Sequence, residues 1–154
     1  MIKKFITLAA LIFFLTVGVA GAAEVGTTTV SAHSKNAISA FKFLEWSCLS
    51  DTAGNISGGY TVTGVSGILL SVEFIPDTTD TPTDGYTVTV ITVAGLDILH
   101  GVGSSCSSDV TSVTNHRTPY TQDGGMVTIM REALAITAGS VGNAKKFKVV
   151  LKYF

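Results

Sequence analysis

The last ten residues, Lys145-Lys146-Phe147-Lys148-Val149-Val150-Leu151-Lys152-Tyr153-Phe154, alternate with a period of two. Phe147, Val149, Leu151 and Tyr153 fall on one face and Lys146, Lys148 and Lys152 on the other. Successive side chains of a β-strand point to opposite sides, so the pattern describes a strand with one buried and one wetted face. The run Ile68-Leu69-Leu70-Ser71-Val72-Glu73-Phe74 repeats it, assigning Ile68, Leu70, Val72 and Phe74 to the core, and stops at Pro76-Asp77. From Tyr86 to Val93 the chain first alternates Tyr86, Val88 and Val90 with threonines and then becomes apolar on both faces, which predicts a strand running deep into the core. Further strands are expected at 25–32, 39–49, 60–65, 125–131 and 134–137. Turn chemistry separates them at Asp51-Thr52-Ala53-Gly54-Asn55, Ser57-Gly58-Gly59, Thr83-Asp84-Gly85, Asp123-Gly124-Gly125 and Gly142-Asn143. Threonine and valine number 21 and 17, and both are β-branched residues that suit a pleated surface. The expected fold is all-β: an antiparallel β-sandwich or jelly-roll-like barrel of about seven to eight strands, in one domain over residues 24–154. The stretch 101–122 is the least regular, and reads as a long excursion with one edge strand at 110–114.

The first 23 residues, MIKKFITLAALIFFLTVGVAGAA, have the order of an export signal: Lys3 and Lys4, an apolar run, then small residues of the kind a signal peptidase accepts. A retained membrane anchor is the competing reading, since roughly 20 apolar residues span a bilayer, but small residues fill the last third of the segment. Either way the rest of the chain is expected to be exported: periplasmic, extracellular or surface-associated. No cysteine sits at the cleavage point to take a lipid. Removing the leader leaves 131 residues (154 − 23) with 8 basic (10 − 2) against 11 acidic side chains. That balance excludes a general nucleic-acid binder and a disordered, highly charged chain.

Cys48 and Cys106 are the two cysteines, and an oxidising compartment favours a bridge between them. Closing the 58-residue span (106 − 48) would contribute roughly 4 kcal/mol on the chain-entropy view. The alternative makes Cys106, inside Ser104-Ser105-Cys106-Ser107-Ser108, a nucleophile paired with His100 or His116. Asp97, flanked by Leu96 and Ile98, is read as a turn cap after Gly95, with a metal or catalytic role as the alternative. Asp77, Asp80 and Asp84 crowd one loop where calcium ligands could converge, although the spacing fits no EF-hand. His33, His100 and His116 form no short-spaced pair that would suggest zinc. Nucleotide and nucleophile-elbow motifs are missing, and no cofactor is expected. The lysines of the last strand read as a guard against sheet-to-sheet aggregation, while Val150 and Phe154 interrupt them and suggest a contact. Trp46, alternating with Leu44 and Cys48, is expected in the core; exposed, it would be a sugar-stacking platform.

Three segments carry a family resemblance. Gly67-Ile68-Leu69-Leu70-Ser71-Val72-Glu73-Phe74, Pro82-Thr83-Asp84-Gly85-Tyr86-Thr87-Val88-Thr89-Val90 and Ala94-Gly95-Leu96-Asp97-Ile98-Leu99-His100-Gly101 resemble small β-rich proteins encoded in tailed-phage and prophage structural-gene regions. There a Pro-Thr-Asp turn leads into a Tyr-x-Val-x-Val strand and a Gly-x-Asp-x-Leu segment. With the late part of the chain, the resemblance spans residues 46–154; the export leader and the two cysteines depart from the family's pattern. It implies a non-catalytic structural or interaction protein on a cell surface or particle, partnered by protein through self-association or docking on a larger assembly. The alternative is a secreted carbohydrate- or ligand-binding β-sandwich, which requires Trp46, Tyr60, Tyr86 or Tyr120 gathered on one exposed face. A third class, a small secreted hydrolase, requires His100 or His116 to meet Asp97 or Cys106 in a cleft.

Overall fold

The computed structural model describes residues 26–34, 41–58, 62–109, 116–119, 121 and 123–154. The leader and the edge strand expected at 110–114 lie outside these residues. The described chain is all-β: β1 (Thr27–Ser34), β2 (Lys42–Leu49), β3 (Ile56–Ser57), β4 (Val62–Pro76), β5 (Thr87–Thr92), β6 (His116–Arg117), β7 (Thr128–Gly139) and β8 (Lys146–Tyr153). They pair antiparallel in the order β1-β2-β8-β4-β7-β3, with β5 added on β7 and β6 on β4, as one sheet curled into a half-barrel. No helix of the described residues is long and apolar enough to cross a membrane.

The terminal strand lies at the heart of the sheet, laddered to β2 on one side and β4 on the other. Phe147, Val149, Leu151 and Tyr153 are buried, as the alternation requires, against Leu44, Trp46 and Cys48 of β2 and Phe74 of β4. Val90, Leu134 and Ile136 close the core from the β5–β7 side. The residues expected to form two strands, at 60–65 and 68–74, are joined in the 15-residue β4. Its early part, from Val62 to Ile68, ladders with β7, and its later part, from Leu69 to Pro76, with β8. A strand that changes partners in this way must bend, and bends are made by bulges and glycines. Register shifts fall between Val62 and Val65, between Val65 and Gly67, and between Leu69 and Ser71.

The last of these shifts corrects the expected face. Leu70 has no ladder partner, so Leu69 takes the inward position and is fully buried while Leu70 is only half-buried. A second bulge sits in β7, where Arg131 adopts a left-handed φ of 52° and its N–H is taken by Ser66 Oγ at 2.8 Å. The expected break between 125–131 and 134–137 is therefore a bulge inside one continuous strand. The apolar run after Val90 does not carry β5 deeper into the core. The strand ends at Thr92, and Gly95 (φ 79°) turns the chain back with its N–H on the Thr92 carbonyl at 2.9 Å, leaving Val93 66% exposed.

Gly67 is the point where the two halves of β4 meet. Its φ is 150°, and a Cβ built there would lie 2.2 Å from the carbonyl oxygen of Phe154, which accepts the Ile68 N–H at 2.9 Å. The backbone of β4 and the chain terminus approach so closely that only hydrogen fits. Gly67→Ala is expected to destabilise the fold by about 2–4 kcal/mol, since the obstructing atom belongs to the backbone and cannot rotate away. Chemical denaturation of wild type and variant measures this, and a change within about 0.5 kcal/mol would contradict the assignment of Gly67 as the corner.

Candidate functional site

Loops carry function more often than the scaffold beneath them, and here the loop of interest is laid along the free edge of β5. Its first turn is built by Asp97. Oδ1 accepts the N–H groups of Leu99 at 3.0 Å and Val90 at 3.3 Å, and Oδ2 accepts that of Gly101 at 3.1 Å. A carboxylate is the side chain best suited to gather several amide donors, and the turn-cap reading of Asp97 is the one the geometry bears out. The chain then runs beside β5: Val88 N–H donates to Gly103 O at 2.8 Å, Cys106 N–H to Tyr86 O at 2.7 Å, and Gly85 N–H to Cys106 O at 2.9 Å. Gly103 is required there, because a Cβ would fall 1.9 Å from the Val88 carbonyl.

Arg117 locks this arrangement. From β6 its guanidinium donates to the carbonyls of Val102, Ser104 (2.9 Å) and Ser105 (3.0 Å), with the cation 5.8 Å from the centroid of the Phe74 ring. The planar fork of arginine offers several donors at fixed angles, so one side chain can pin three carbonyls of one loop. Nothing in the sequence singles Arg117 out. It lies in an irregular stretch, and its local spacing does not announce three carbonyls contributed from a loop 12 to 15 residues earlier.

The disulfide expected between Cys48 and Cys106 is not formed; both are free, buried thiols. Cys48 Sγ faces Trp46 O at 4.0 Å and Cys106 Sγ donates to Gly103 O at 3.3 Å, so each thiol is turned to a carbonyl of its own segment. The contact linking the two segments is aromatic instead. Tyr86, bridged to Cys106, and Phe147, laddered with Cys48, meet with ring centroids 5.1 Å apart. Burial pushes the Cys48 thiol up to about 12 and the Cys106 thiol up to about 11, the latter opposed only partly by the Arg117 charge. A reactive cysteine needs thiolate character and access, and neither cysteine has them here. His100 is exposed on the turn with φ 49°, its N–H on Asp97 O at 3.3 Å. The side chains of His33 and His116 and all of Tyr60 and Tyr120 lie outside the described residues.

The three acids of the calcium reading are drawn to separate tasks. Asp77 Oδ1 accepts the N–H groups of Thr79 (2.8 Å) and Asp80 (2.9 Å), Asp80 pairs with Lys146, and Asp84 accepts Ser108 N–H at 3.1 Å. Among the described residues no group of three or more His, Cys, Asp or Glu side chains is arranged to hold a metal ion. On the outer face of the sheet, Lys148 pairs with Glu45 at 2.9 Å and Lys152 with Glu73 at 3.0 Å. Val150 sits between these pairs, with Glu45 and Glu73 as its ladder neighbours, and is only 8% exposed. Val150, one of the two residues that interrupt the lysine face, is thus buried, whereas Phe154 remains 43% exposed. A shallow groove of about 390 Å³ near this face is lined by Glu45, Ser47, Ile75, Asp77, Lys146 and Lys148. Trp46 and Tyr86 are fully buried, so neither is a sugar-stacking platform. No family model, curated protein or solved structure matches the chain significantly.

These environments make the cysteines and Asp77 testable. Without reductant, both cysteines are expected to resist a polar alkylating reagent in the native protein and to be modified once it is unfolded; mass spectrometry that finds neither modified after unfolding would restore the disulfide. For Asp77, the amides of Asp80 and then Thr79, aided by the Lys146 charge, hold the carboxyl below its ordinary value of 3.8. A depressed folded value means that the contribution is present above the ordinary range and lost as pH falls through the folded value. Nuclear magnetic resonance titration should place the Asp77 midpoint below 3.8 and loosen the Thr79 and Asp80 amides over the same acid window. A midpoint at or above 3.8 contradicts the turn geometry.

Proposed function

We propose that the chain is an exported, non-catalytic structural or interaction domain displayed on a cell surface or particle, in the manner of a phage-like surface subunit. On this reading the curled sheet is a β-sandwich-like domain of seven to eight strands following an N-terminal signal peptide, and its partners are proteins, including copies of itself. Nucleic acid is not among them, and a membrane enters only with a retained leader.

The observation that carries the reading is how the chemistry-bearing groups of the 95–117 region are engaged. The Asp97 carboxylate is held by three backbone amides, the Cys106 thiol is buried and un-ionised, and the Arg117 guanidinium grips loop carbonyls. Each group fixes backbone, which is the work of a domain that presents a shaped surface rather than one that turns over a substrate. The resemblance of residues 46–154 to phage structural-region proteins supports the same class. The carbohydrate-binding alternative needs exposed aromatics, and the burial of Trp46 and Tyr86 withdraws two of the four it requires.

The test is a pull-down from the producing cells with the tagged protein, read beside light scattering, a glycan array and a panel of hydrolase substrates. Recovery of a protein partner or of further copies, with no glycan bound and no turnover, is the expected result. A strict monomer that recovers nothing yet hydrolyses a substrate, with the activity lost in His100→Ala or Cys106→Ala, would overturn the reading in favour of an enzyme.

A further inference from the structure

We draw no further inference here: the strongest candidate, the exposed apolar side chains of Phe41, Phe154, Met126 and Met130 at the end of the sheet where β2 and β7 begin and β8 finishes, carries none because nothing in the structure shows what covers them.

Discussion

One strand has to satisfy two ladders. Bonding β7 along its first half and β8 along its second, β4 joins the two regions of sheet that enclose the core, and the rest of the fold depends on its bending without losing hydrogen bonds. An unpaired buried backbone group costs about as much as a lost hydrogen bond, so the bend cannot simply be an interruption. The solution is local: Gly67 lets the Phe154 carbonyl come close enough to take the Ile68 N–H, and Ser66 Oγ takes the N–H that Arg131 would otherwise leave open. The side chains then follow from the backbone. Leu69 turns inward where strict alternation would put Leu70, and meets the inner face of β8 at Tyr153.

The periphery of the sheet is managed by the same means, with polar side chains closing backbone rather than facing solvent as reactive groups. Ser50 Oγ donates to Gly142 O at 2.6 Å and accepts Lys145 N–H at 2.8 Å, tying the turn after β2 to the turn before β8. Asp97 and Arg117 do this on a larger scale for the edge of β5, and together they convert a long, serine-rich connection into a sheet-hugging segment. Ion pairs on the outer face contribute little to stability one by one; Glu45 and Glu73, which pair with Lys148 and Lys152, are the ladder neighbours of the buried Val150.

Legibility in the sequence follows the range of the interaction. Alternation is a local property, so the inward faces of β8 and β5 and the core position of Trp46 can be read directly, as can Asp97, whose cap reaches only as far as Gly101 and Val90. The joining of 60–65 with 68–74, the inversion at Leu69 and the bulge at Arg131 depend on which strand lies alongside, and a period of two contains no such information. Arg117 and Ser50 act on carbonyls contributed from distant turns, so their spacing is silent. The cysteines mislead for a different reason: two cysteines behind a leader read as an export signal argue for a bridge by compartment, whereas each thiol is buried and turned to a carbonyl of its own segment, Trp46 O or Gly103 O.

That interior explains why ring volume prevails over polar pairing. Trp46 Nε1 and the Tyr86 hydroxyl are buried without a hydrogen-bond partner among the described residues. Leaving such a group unpaired costs about 1–3 kcal/mol, whereas burying an aromatic side chain of about 150–250 Å² contributes roughly 4–6 kcal/mol. Burial therefore outweighs the lost hydrogen bond, and the rings stay inside with their polar ends unpaired. The same desolvation that makes those ends costly raises both thiols and the Tyr86 hydroxyl, keeping all three neutral across the physiological range. The centre of the domain is thus electrically quiet, and its charge lies at the loops and on the outer face of the sheet, where Lys148 pairs with Glu45 and Lys152 with Glu73.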